Sequence, residues 1–342
     1  MTRWRSSQLL ALVLLAWISR SAAAQPDFQV AQISSAEFDF GRPTDACFSL
    51  DDKHIYIGFR GARLEKWSIP HWKMEWGTHW SKRGKPTNAV DITPSGDRLV
   101  VASKDGEIAF VSPKNGRVVR LAQSESHGIT HDVCFVATGN ALVVGGKELG
   151  LKRRAAAVVL SGKNWKQIGA FGESRDEFNS IAQAKNRLVL SGLKGVFIAD
   201  VRLQNGVFKS LDMKPLQLPT QETHGFGQSA ISSDGKRVAV VWAKLRGKKE
   251  QHGVSIIDVS SGTVLRTVNG MRDAACVLRF LPGSYDLVGV DIKGTLLVWF
   301  NSGARKRIEL KSPVLGISIG RKKRVFAILH RESQVQLWRV VQ

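Results

Sequence analysis

Apolar residues in this chain come in short runs of about five, cut by turn-forming residues, and nowhere follow a sustained helical period. Ala89–Gln123 shows the pattern: the runs AVDIT, RLVVAS, EIAFV and RVVRLA are separated by PSGD, KDG and SPKNG. Pro, Gly, Asp and Asn supply the turn geometry, and the β-branched runs suit a pleated, half-buried surface. The stretch predicts an antiparallel meander of four strands, and altered versions of it recur along the chain.

Two apolar positions mark each recurrence, one ending a first strand and one opening the second. They are Phe48 with Ile55, Ile92 with Leu99, Phe135 with Leu142, Ile181 with Leu188, Ile231 with Val238, Phe280 with Leu287, and Ile319 with Val325. The second markers step by 44, 43, 46, 50, 49 and 38 residues, close to the roughly 40 to 45 of propeller blades. The expected fold is therefore all-β, a seven-bladed β-propeller of four-stranded antiparallel blades. The last unit ends on QVQLWRVVQ, a third strand, while FQVAQI (Phe28–Ile33) precedes the first unit. The amino-terminal strand is thus expected to complete the last blade and close the ring, hiding two strand edges.

Within these units SKDGEIAFVSPKNG (Ser103–Gly116), DIKGTLLVWFNSG (Asp291–Gly303) and HGVSIIDVSSG (His252–Gly262) share a turn, a hydrophobic strand and a closing glycine. In this the chain resembles the WD-repeat family of β-propellers. Trp67, Trp299 and Trp338 fall where that family carries its third-strand tryptophan, and Asp200 and Asp258 where it carries the aspartate that follows. No unit holds the Trp-Asp or Gly-His dipeptide, so the resemblance lies in blade layout. It covers nearly the whole chain after residue 24.

Residues 1–24 have a basic tip (Arg3, Arg5), an apolar run from Leu9 to Ile18 and a small-residue end with Ala22 and Ala24 as an A-x-A site. This is the layout of a secretory signal peptide, and the run falls short of the about 20 residues a membrane span needs. The expectation is an exported protein, periplasmic or extracellular, with residues 25–342 as one propeller domain and no membrane span. Its 50 Lys and Arg stand against 29 acids, a net charge of +21. Losing the leader's three arginines leaves 47 against 29, or +18. Such a field attracts anions. Export removes nucleic acid from consideration, so the expected partner is an acidic protein or an anionic glycan or envelope polymer, met by a monomer. Cys47, Cys134 and Cys276 are too few for a disulfide scaffold, and buried free thiols are expected.

The loops between second and third strands gather cations, above all in the insertions KELGLKRR and AKLRGKKEQHG. Longer loops on a rigid scaffold carry binding. The candidate partner-binding residues are Trp80, Lys82, Arg83, Lys152, Arg153, Arg154, Lys244, Arg246, Lys248 and Lys249, with the alternation of Trp72, Trp76 and Trp80 with Lys and Arg offering stacking surfaces. No catalytic, cofactor or metal set is assigned, because H-E-x-x-H and C-x-x-C-H are absent. The favoured reading is a non-catalytic exported binding scaffold. The alternative is a metal-dependent hydrolase or lactonase at the central channel, with His79, His127, His131, His224, Asp132, Glu173, Asp176, Glu222 and Asp273 at its mouth.

Overall fold

The computed structural model describes residues 28–341 apart from 82–83, 124–128, 137–138, 140, 150–154, 163, 173–176, 193–194, 206, 217–222, 247–248, 270 and 272–274. The expected leader thus lies outside the described residues. Among the described residues twenty-eight strands, β1–β28 in chain order, form seven four-stranded antiparallel sheets. Blades one to six each take four consecutive strands, from β2–β5 to β22–β25. The seventh takes β26 (Val314–Ile319), β27 (Val325–His330) and β28 (Gln334–Val341), with β1 (Gln29–Glu37) as its outer strand. No helix among the described residues is long and apolar enough to cross a membrane.

The two-residue period explains the layout. Second strands such as β7 (Leu99–Ser103) and β23 (Leu287–Asp291) are buried along their whole length, because each lies mid-sheet with a neighbouring blade on both faces. Outer strands alternate, as in β13 (Gln167–Phe171), since one of their faces meets water. The buried apolar residues divide into seven clusters, one at each blade junction. Phe110, Phe135 and Leu142 fill the junction of blades two and three, and Phe38, Phe59 and Leu329 that of blades seven and one.

Five of the seven marker pairs are direct cross-strand partners. Two differ. Ile319 pairs with Phe326, so the seventh unit keeps the seven-residue spacing and Val325 lies one place off the marker. In blade four Ile181 pairs with Leu190, and the hairpin runs on to Ala184 opposite Arg187. Only Lys185 and Asn186 then form the turn, with Lys185 at φ +54°. That tight turn adds pairs below the marker and shifts the register by two.

The five residues matched to the WD-repeat pattern all lie on or at the end of third strands. The ring closes as the sequence predicts: Gln29 pairs with Val341 and Glu37 with Gln334. A second tie joins blades seven and one. The Asp52 carboxylate, in the first turn of blade one, accepts hydrogen bonds from the backbone N–H of Arg321, of Lys322 at 2.8 Å and of Lys323 at 2.7 Å.

Candidate functional site at the channel mouth

The first strands of the blades line the axis. They are β2 (Pro43–Phe48), β6 (Thr87–Ile92), β10 (Ile129–Phe135), β14 (Phe178–Ala184), β18 (Thr223–Ile231), β22 (Ala275–Phe280) and β26. At the end where they turn into second strands, all seven blades border a cavity of about 300 Å³. Its charged lining is Asp45, Asp91, Asp132, Arg279 and Arg321.

Three of these carboxylates tie one blade to the next. Asp45 accepts from the Val90 N–H at 2.7 Å, Asp91 from Phe135 at 3.0 Å and Asp132 from Ile181 at 2.8 Å. In blades one and three the aspartate stands opposite a glycine, Gly58 or Gly145. A Cβ on Gly145 would come within 2.8 Å of the Ile181 side chain, so the missing side chain lets the next first strand come close enough to donate. Asp91 also binds the Arg321 guanidinium at 2.9 Å, a blade-two to blade-seven bridge across the mouth.

The other charges keep spare capacity. Asp45 accepts from the Val90 N–H and from the N–H of its own neighbour Ala46. Arg279 donates Nη1 to its neighbour's carbonyl, Leu278 O, at 2.8 Å. Among the described residues neither Asp45, Asp132 nor Arg279 belongs to an ion pair. Burial, then the negative charge of Asp132, raises the Asp45 carboxyl to about 7, against the pull of the Val90 N–H. Burial raises Asp132 to about 6, opposed by the Ile181 N–H and Arg279. Cys47 and Cys134 border the same cavity as buried free thiols, as the sequence predicts. Burial and then Asp91 push both well above the ordinary thiol value, which leaves them poor nucleophiles.

Trp80 is corrected. Its indole is 2% exposed, packed among Leu64, Val90 and Ile92 at the junction of blades one and two, and donates Nε1–H to Thr87 Oγ1 at 3.0 Å. The apolar ring was drawn into the junction, where its one donor finds a hydroxyl, so it offers no partner surface. Trp76 packs at the same junction and Trp72 at that of blades seven and one. The second insertion is a strand extension: β19 (Arg237–Arg246) and β20 (Lys249–Asp258) run ten residues each, pairing Lys244 with Gln251 and Arg246 with Lys249. Lys82, Arg83, Lys152, Arg153, Arg154 and Lys248 lie outside the described residues.

Of the proposed channel-mouth set, Asp132 does line the channel, from a first strand. His79 instead lies exposed at the end of β5 (Lys73–His79), the outer strand of blade one. His131 faces Glu177 at 3.5 Å. His127, Glu173, Asp176, Glu222 and Asp273 lie outside the described residues, as does the His224 side chain. Among the described residues no three His, Cys, Asp or Glu are grouped to hold a metal ion.

Asp45, Asp91, Arg279 and Arg321 were not anticipated. A signal existed in the parallel strings Asp45-Ala-Cys47-Phe48 and Asp132-Val-Cys134-Phe135, which place a charge on a strand that must face the axis. The chain matches no family model and no curated protein. Fold and site together define it as a seven-bladed propeller with a charged cavity at one end of its channel.

Proposed function

We propose that this chain is a WD-repeat-like, non-catalytic exported propeller that docks an acidic protein or an anionic envelope polymer. The observation that carries the reading is the β19–β20 hairpin. Its register sets Arg246 directly opposite Lys249, with Lys244 two positions before Arg246 and only Gly247 and Lys248 between the strands. Like charges on opposed positions destabilise a strand pair, so such a tip is explained by a partner of opposite sign. The overall charge of +21 points the same way, since a field of one sign raises encounter rates with oppositely charged surfaces.

The export reading rests on residues 1–24 and makes the partner an extracytoplasmic one. Processing at Ala24 is checked by the amino-terminal sequence of the secreted form. For the docking, the intact protein is passed over immobilised polyglutamate in rising salt, beside a variant carrying Lys244→Glu, Arg246→Glu, Lys248→Glu and Lys249→Glu. Elution of the variant at markedly lower salt supports the reading. Identical elution refutes a docking role for the hairpin.

A further inference from the structure

The channel-mouth cavity is a second and separate feature. Its chemistry differs from the cationic hairpin because it holds both signs of charge, unpaired, facing one space. Asp45 and Asp132 each take two backbone amides but no cation. Arg279 spends one N–H on a backbone carbonyl and faces both carboxylates without pairing to either. Charged groups inside a protein are ordinarily paired, whereas Asp91 and Arg321 beside them do pair, at 2.9 Å. The amides that tie the blades leave Asp45 and Asp132 without a cation, and Arg279 without a carboxylate, where all three border the cavity.

A ligand that completes them must bring an ammonium to the carboxylates and an acid group to the guanidinium. A monocation meets repulsion from a molecule of net charge +21 and from Lys322 and Lys323 on the adjoining turn, both exposed. A monoanion leaves the two carboxylates unanswered. A zwitterion meets neither objection. The volume of about 300 Å³ fits the lower end of small-molecule pockets. We infer that the channel mouth binds a small zwitterion of the α-amino acid type, its ammonium held by Asp45 and Asp132 and its carboxylate by Arg279.

Titration gives the site a pH signature. The charges facing Asp45 are Asp132 of β10, Asp91 of β6, Arg279 of β22 and Arg321 beyond β26. With Asp45 near 7 and Asp132 near 6, protons compete with the ammonium at low pH. Binding strengthens from pH 5 to pH 8.

The test screens the intact protein against the twenty L-amino acids by thermal shift at pH 8. The best binder then goes to calorimetry beside its amide, which is only a cation, and its N-acetyl form, which is only an anion. At least tenfold preference for the parent over both supports the inference. So does at least tenfold loss in Asp45→Asn, whose amide oxygen can still accept from Val90, and in Arg279→Met. Both variants are first shown by circular dichroism to keep the fold. The inference is overturned if no amino acid shifts the melting temperature, if the amide binds as well as the parent, or if Arg279→Met binds unchanged. Failure here leaves polyglutamate elution untouched, so the two readings fall separately.

Discussion

Asp45 shows how one side chain ties sequence to solution behaviour. Its folded-state carboxyl titrates near 7 against 3.8 for the ordinary group, chiefly through burial and then the charge of Asp132. A raised carboxyl means the folded protein binds the proton more tightly than the unfolded one between these values, so stability falls as pH climbs through that window. Asp132, near 6, acts in the same direction. Half-exposed Asp258 has the opposite sign: hydrogen bonds from Ser260 and Ser261 hold it near 2, so its contribution is present above about 4 and is lost only in acid. The melting temperature should peak near pH 4, decline toward pH 7 and level off above it. Asp45→Asn removes the titrating charge and keeps an acceptor for Val90, and should flatten the decline, measured by calorimetry across that range. An unchanged slope would show that Asp45 does not cause it. None of this was readable from composition, because the shift arises where strands distant in sequence converge on one axis.

Among the elements, the junction between first and second strands of adjacent blades sets the spacing of the ring. Gly58 sits in β3 (His54–Phe59) opposite Asp45. A Cβ there would meet Thr87 Cγ2 at 2.5 Å and Val90 Cγ2 at 2.9 Å. These are branched side chains on the next blade's first strand, with little freedom to turn away. Gly58→Ala should therefore push β6 outward and lengthen the Asp45–Val90 hydrogen bond, costing about 2 kcal/mol as an overpacked core. Urea unfolding measures it. A cost under about 0.5 kcal/mol, the level of an ordinary surface change, would mean the junction has slack. At this scale the sequence was informative for strands and poor for their neighbours. Alternating apolar runs and Pro-Ser-Gly-Asp-type turns marked most hairpins, yet Trp80, beside Lys82 and Arg83, read as a surface aromatic. Local polarity hid its place in a junction formed with Thr87 and Val90. In blade four the Lys185–Asn186 turn looked like any other polar gap, and only the pairing revealed the register.

For the whole molecule, closure was legible because the arithmetic of four strands per unit left one strand missing at one end and one spare at the other. The second closing device was not legible, since Asp52 and the Arg321–Arg324 turn are linked only by the ring itself. Both devices act on the junction of blades seven and one. β1 pairs with β28 within blade seven and reaches blade one through the Trp72 Nε1–H to Ser34 Oγ bond at 3.0 Å, while Phe28 just before it stacks on Phe300 of blade six at 3.9 Å. Asp52 holds it by three backbone amides, from a residue at φ +55°. Asparagine tolerates that backbone region well, so Asp52→Asn leaves the turn in place and replaces one accepting oxygen with a donor aimed at N–H groups. The cost should be about 2 kcal/mol, the size of an unsatisfied partly buried donor. Removing residues 28–37 should cost more and expose the β28 edge to self-association. If the ring closes as one cooperative event, the two losses interact. Once β1 is gone, blade seven is already free to part from blade one, and Asp52→Asn adds at least about 0.5 kcal/mol less than it does in the full chain. Chemical denaturation of the four species in this double-mutant cycle decides the matter. Strict additivity would mean that the strand and the carboxylate hold independent parts of the molecule, and that closure is two local contacts instead of a property of the ring.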